Sequence, residues 1–257
     1  MSFTFYKYNG TGNDFVIVDN RTSFFPKNDI KLIGRICDRN FGVGADGLIL
    51  LEEYPNSDFY MTYFNADGMP GTMCGNGGRC IVHFARKIGL IEEKALFTAV
   101  DGLHIAMIQG DEISLKMNDV DSVNLNGDHV YINTGSPHHI QFVKDIDDFD
   151  VKRIGANIRY NIYGKEGSNV NFAEQIKDDL YSVRTYERGV EDETLSCGTG
   201  VTAVALAIYE TKRSNSKRIT FKTKGGLLNV KFQQNEGTYS EIYLIGPASL
   251  VYTGEWI

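Results

Sequence analysis

No stretch of this sequence stays apolar for the length a membrane span requires, so a membrane is not an expected partner. Lysine and arginine never gather into a run, and 26 of them stand against 33 aspartates and glutamates for a formal net charge of −7. The basic footprint of a nucleic-acid binder is therefore missing. Met1–Lys7 has no charged segment leading into an apolar one. No signal peptide is expected, and the expected compartment is the cytoplasm. Cysteine is scarce, with only Cys37, Cys74, Cys80 and Cys197. In a reducing compartment these are expected as thiols rather than as a disulfide framework. There is no Cys-x-x-Cys pair, which disfavours a thiol redox protein, and no Cys/His cluster completes a metal site around Cys74 and Cys80. The turn Asn9–Asp14 has two glycines but lacks the third glycine and following helix of a dinucleotide fingerprint.

What is present is ordinary in amount: 257 residues, 42% apolar and 23% charged, enough for one large domain or two modest ones. The unusual feature is a motif that occurs twice. Cys74-Gly75-Asn76-Gly77 runs into Ile81, Val82, Phe84, Ala85 and Ile88, and Cys197-Gly198-Thr199-Gly200 runs into Val201, Ala203, Val204, Leu206, Ala207 and Ile208. Each reads as a glycine-rich loop entering a buried helix. A cysteine there sits beside unspent backbone N–H groups and the positive end of the helix dipole, which favours its thiolate. The same N–H groups, at Gly75-Asn76 and at Gly198-Thr199, suit a carboxylate. Two such thiols suit stereoinversion beside a carboxylate: one removes the α-proton, and the other delivers a proton to the opposite face. Cys37 and Cys80 fall on apolar helical faces and read as core thiols.

The two motifs are 197 − 74 = 123 residues apart, and the same offset carries Asn13 to Ser136, Tyr63 to Tyr186 and Asn65 to Arg188. Around both copies the order is strands, glycine turn, strands, helix, then three short strands. The expected fold is α+β, with two pseudo-symmetric domains. Each would be a twisted, largely antiparallel sheet wrapped around a central helix, with the active site in the cleft between them. The expected domains are 1–117, joined by a returning strand 248–257, and 118–247. The repeat also places the His138-His139 turn near the cleft, and Glu187-Arg188 at the Asn65 equivalent, where a substrate clamp is expected.

Gly12-Asn13-Asp14-Phe15, Asn65-Ala66-Asp67-Gly68, Cys74 to Cys80, Gly135-Ser136-Pro137-His138, Tyr186-Glu187-Arg188-Gly189 and Cys197 to Gly200 together resemble the motifs of the diaminopimelate epimerase family, in the family's order and over nearly the whole chain. The resemblance implies a cofactor-independent isomerase interconverting L,L- and meso-diaminopimelate for lysine and peptidoglycan synthesis. It implies Cys74 and Cys197 as the acid/base pair, with His138 and Glu187 assisting their proton transfers. It implies Asn13, Asn65, Asn169, Glu187 and Arg188 as contacts to the substrate's polar groups, and a homodimer with Tyr252 at its contact. Two positions depart from the family's pattern. Some members have glutamine where Gly47 stands, and many have asparagine where Ser136 stands. A proline or hydroxyproline racemase of the same architecture is the nearest rival, and Glu187-Arg188 argues against it, since a proline ring needs no second charged clamp.

Overall fold

Two strands open the chain, β1 (Phe3–Gly10) and β2 (Asn13–Asp19), folded back on each other at Thr11-Gly12, both of which have positive φ. The computed structural model describes Ser2–Ile257 and divides the chain into two units, Met1–Leu115 with Gly246–Ile257 and Lys116–Ile245.

In the first unit the chain continues through α1 (Ile30–Cys37), β3 (Gly47–Glu52), β4 (Phe59–Asn65), α2 (Gly75–Lys87), β5 (Lys94–Ala99), β6 (Gly102–Gln109) and β7 (Glu112–Lys116). Strand β3 joins β2 in parallel, β4 runs antiparallel to β3, and β5 lies parallel to β4. Strands β5, β6 and β7 form a meander. Phe15 to Val18 and Leu48 to Leu51 are buried without alternation, because both faces of these strands are covered. Val16, Val18, Leu48 and Leu50 pack with Ile33, Ile36 and Cys37 of α1. The opposite face carries α2: a Cβ on Gly77 would stand 3.1 Å from Ile49 Cδ1 and 3.6 Å from Phe15 Cε1. Glycine at 77 lets the first turn of α2 press against the sheet.

The second unit runs β8 (Asn124–Asn126), β9 (His129–Asn133), β10 (Pro137–Phe142), α3 (Val151–Asn161), β11 (Asn169–Lys177), β12 (Leu180–Glu187), β13 (Asp192–Thr194), α4 (Gly198–Glu210), β14 (Arg218–Thr223), β15 (Gly226–Asn235) and β16 (Thr238–Pro247). Its pairings repeat those of the first unit. Strands β10 and β11 are parallel, β11 and β12 antiparallel, and β12 and β14 parallel. Helix α4 is apolar all round and buried from Gly200 to Ile208, as a central helix must be. Helix α3 covers the other face through Val151 and Ile158, against Val170, Phe172 and Tyr186. The last strand, β17 (Ser249–Trp256), pairs antiparallel with β1.

The duplication read from the sequence is therefore structural. Helices α2 and α4 are 13 residues each, and both their first residues and their last are separated by the motif offset. The fold is the expected α+β class. Residues 154–160 lie in helix α3. The polar stretch 118–128 contains β8 and a bridge from Val120 to Tyr239.

Candidate active site

Cys74 is the N-cap of α2, with extended backbone (φ −106°, ψ 130°), and its carbonyl accepts the first helical bond from Gly78 N–H at 2.7 Å. The N–H groups of the first turn, from Gly75 on, precede that bond and face out of the helix end. Asn76 is fully buried. Its Nδ2 donates to Asn13 Oδ1, and its Oδ1 accepts from Arg79 Nη2 at 3.0 Å. Asn13 Nδ2 donates to Asp46 Oδ2 at 3.1 Å. Asp46 shares Arg39 with Asp14, and Lys7 also bonds Asp14. Burial opposes the charge of Asp14, but hydrogen bonds from Arg39 and Lys7 outweigh it and hold the carboxyl at about 2. A charged, ordered platform thus fixes Asn13 against the first turn of α2.

Arg79 is the residue that the sequence reading left without a role. Its guanidinium is wholly buried. It donates to Thr11 Oγ1 at 2.7 Å, to Asn76 Oδ1, to Gly75 O at 3.3 Å and to Pro247 O at 3.4 Å. One cation therefore ties the β1–β2 turn, the start of α2 and Pro247 together, all within the first unit. The signal was present, since a charged residue interrupts the apolar face of a helix expected to be central. Cys80 packs behind it, beside Gly10, and burial pushes its thiol up to about 12. Cys37 is also pushed up to about 12 by burial, so both remain protonated core thiols.

Asn65 ends β4 and is exposed, opening the turn to Gly68. Its cross-strand partner is Gly47, the position where some family members carry glutamine.

In the second unit Cys197 is the N-cap of α4, with φ −126° and ψ 113°, and its carbonyl accepts Val201 N–H at 3.0 Å. Its Sγ lies 3.5 Å from Thr199 Oγ1. Thr199 Oγ1 lies 3.3 Å from Ser136 Oγ, which is 2.9 Å from His138 Nε2. His138 is fully buried. Burial, and then the positive charge of Arg188, push it down to about 3, so it is a neutral imidazole. Its Nδ1 is 3.1 Å from Asn171 Nδ2. Asn171, a second residue missed in the sequence, runs beneath the cysteine loop: a Cβ on Gly200 would stand 2.4 Å from its Oδ1. That contact explains the second glycine of this motif copy.

Asn169 Oδ1 accepts from Arg188 N–H at 2.9 Å, while its Nδ2 donates to Ser136 Oγ at 3.3 Å and Pro137 O at 3.2 Å. The amide braces the His138 turn to the Glu187-Arg188 corner, and both of its hydrogens are spent there. Glu187 ends β12 half-buried, and the exposed Arg188 donates through Nη1 to Glu166 O at 2.9 Å. His139 points to the opposite face of β10, stacked on His129 with ring centroids 4.3 Å apart and bonded through Nδ1 to Tyr163 OH at 2.9 Å. It takes no part in the cysteine loop. Tyr252 lies on β17, 45% exposed, and meets the ring of Phe5 edge-on.

Residues 5–122 and 130–251 match the sequence profile of the family described as diaminopimelate epimerase. The chain is 54% identical to the diaminopimelate epimerase of Flavobacterium psychrophilum over 249 residues, covering 96% of this chain and 97% of that one. It is 43% identical to that of Chlorobaculum tepidum, covering 95% and 98%. Among solved structures, a phenazine biosynthesis protein of the PhzF family from Bacillus anthracis superposes with a TM-score of 0.78 at 16% identity, over 100% of this chain and 99% of that one. A hydroxyproline epimerase from Agrobacterium vitis superposes with a TM-score of 0.69 at 13% identity, over 99% and 92%. These two share the fold.

Proposed function

The chain belongs to the diaminopimelate epimerase family, and from that premise we propose that it interconverts L,L- and meso-diaminopimelate by passing the α-proton between Cys74 and Cys197. One observation carries the reading. Each cysteine is the N-cap residue of one of two equivalent, buried, 13-residue helices. A cap at that place has N–H donors and a helix dipole beside it, which favours a thiolate and a bound carboxylate together.

In this scheme one cysteine, as thiolate, takes the α-proton, and the other, as thiol, protonates the opposite face of the same carbon. The backbone N–H groups of Gly75, Asn76, Gly198 and Thr199 hold the α-carboxylate as it gains enolate character. Asn13 and Asn65 from the first unit, with Asn169, Glu187 and Arg188 from the second, bind the polar groups of the distal, non-reacting end. With its amide hydrogens spent, Asn169 serves through Oδ1. Glu187 and Arg188 supply the opposite charges that an amino-acid head group needs. His138, neutral and buried, assists Cys197 through hydrogen bonding rather than by taking the proton. No cofactor enters the scheme, since the thiols provide both acid and base.

We place the enzyme in the cytoplasm, as a homodimer with Tyr252 at the contact. No helix among the described residues is long and apolar enough to cross a membrane. Exposed Tyr252 and Val251 give β17 an apolar patch suited to a second copy.

The deciding experiment is incubation with L,L-diaminopimelate in deuterated water. The proposal expects deuterium at one α-carbon and the appearance of the meso isomer. Absence of both, in folded protein, would refute it.

A further inference from the structure

We propose that Thr199, Ser136 and Asn171 are positioning residues that aim a one-way chain of hydrogen bonds from His138 onto the sulfur of Cys197. The proposal rests on the acid/base reading of Cys197 and supplies a means by which a buried histidine acts on that thiol.

The hydrogens can be followed one at a time. Asn171 Nδ2 lies 3.1 Å from the backbone oxygen of His139, which can only accept, and Oδ1 lies 3.0 Å from Thr185 Oγ1. These partners fix the amide's orientation. The other hydrogen on Nδ2 then points at His138 Nδ1, 3.1 Å away, so that nitrogen is a bare acceptor. A neutral imidazole with a bare Nδ1 carries its proton on Nε2. That N–H donates to Ser136 Oγ at 2.9 Å. Asn169 is oriented in the same way, by Arg188 N–H and Pro137 O, and gives Ser136 Oγ a second hydrogen at 3.3 Å. With both lone pairs of the serine oxygen occupied, its own hydrogen must be donated, and Thr199 Oγ1 is in reach at 3.3 Å. Thr199 turns its hydrogen to Cys197 Sγ at 3.5 Å. Every link donates toward the sulfur, and a donor on sulfur favours the thiolate.

His138 is buried deeply enough to stay neutral at working pH, and Arg188 is the charged group acting on it, so the direction does not reverse. The departure at position 136 thereby gains a use. A single hydroxyl oxygen accepts two hydrogens and passes one on, whereas the carboxamide common in the family divides these tasks between two atoms.

The test is site-resolved alkylation of the whole protein by iodoacetamide across a pH series, read by mass spectrometry, with folding checked by circular dichroism. Thr199→Val removes the hydroxyl and keeps the backbone N–H. It should move the alkylation midpoint of Cys197 upward by about one pH unit, a tenfold loss of thiolate below the midpoint. Thr199→Ser should restore it. Ser136→Ala, which cuts the chain one link farther from the sulfur, should shift Cys197 the same way by less. Cys74 should not move in any variant. An unchanged Cys197 midpoint in Thr199→Val, no shift in Ser136→Ala, or equal shifts at both cysteines would overturn the chain. Alkylation needs no substrate, so failure here is separate from failure of the deuterium experiment.

Discussion

A Cβ built on Gly47 would stand 2.4 Å from Cε2 of Tyr63 and 2.8 Å from its hydroxyl, so the tyrosine ring fills the space that a side chain at position 47 would need. Phe64 O, at 2.5 Å, closes the same space from the backbone. The family departure at Gly47 is thus matched by a residue two positions before Asn65. Gly47→Gln is expected to cost about 1–3 kcal/mol as an overpacked site. In a Tyr63→Ala background the cost should fall in part, leaving the strain against Phe64 O. A double-mutant cycle in thermal or denaturant unfolding measures the coupling, and additivity would exclude the explanation.

Arg79 holds four neutral oxygens, and its counterpart at the repeat offset is Thr202, whose hydroxyl donates to Gly198 O at 2.9 Å. Arg79→Lys keeps the charge but lacks the planar fork. Each buried acceptor left unmade costs about 1–3 kcal/mol, so a loss of roughly 3 kcal/mol or more is expected. The melting temperature should drop by about 6 °C or more. An unchanged melting point would mean that the β1–β2 turn and the start of α2 do not depend on this cation.

Much of the framework was legible because its signals are local. The glycine-to-apolar transitions marked α2 and α4, and the common offset marked the repeat. Helix α3 was hidden by its own packing. Gly155 sits mid-helix, where a Cβ would be 2.5 Å from Tyr186 Cβ, and glycine there lowers helix propensity while serving contact. Tyr160 and Ile162 are exposed, which blurs the apolar stripe further. Strand β13 has three residues, too few for any period. At the site, residue type pointed to the thiols but not to the groups beneath them. Asn169 and Asn171 share one strand face by their spacing, yet only the packing of β10 beside β11 shows that one braces a corner and the other orients His138.

Acid stability should report the two buried histidines. Burial pushes His138 down to about 3, helped by Arg188, and His139 down to about 4, helped by His129, against an ordinary value of 6.5. Both are therefore neutral in the folded protein while the unfolded chain takes up protons. Their contribution is complete above pH 6.5 and is lost as pH falls toward 4 and then 3. Between about pH 6 and 5, before carboxylates titrate, each contributes a slope of up to about 1.4 kcal/mol per pH unit. His139→Phe keeps the ring that stacks on His129 and removes Nε2, which has no partner among the described residues. Melting temperatures across this range should fall about half as steeply in the variant. An unchanged slope would show that His139 does not stay neutral in the fold.

The two-thiol scheme makes a joint demand on Cys74 and Cys197. If they serve opposite faces of one carbon, removing either must stop epimerisation, since base and acid are both needed in each direction. Cys74→Ala and Cys197→Ala should each lower turnover at least about 10²–10⁴-fold, the usual worth of a positioned acid or base, with the circular dichroism spectrum unchanged. A serine in place of one cysteine should still support elimination from a halogenated substrate analogue, because that reaction needs only one base. Binding makes the same demand without chemistry. Saturating diaminopimelate should protect both cysteines from iodoacetamide together, while proline at the same concentration should protect neither. Protection by proline would move the assignment to a racemase of the shared architecture. Protection of one cysteine alone would mean that the two thiols do not act on a common substrate, and the scheme would fall even if the protein proved to be an epimerase.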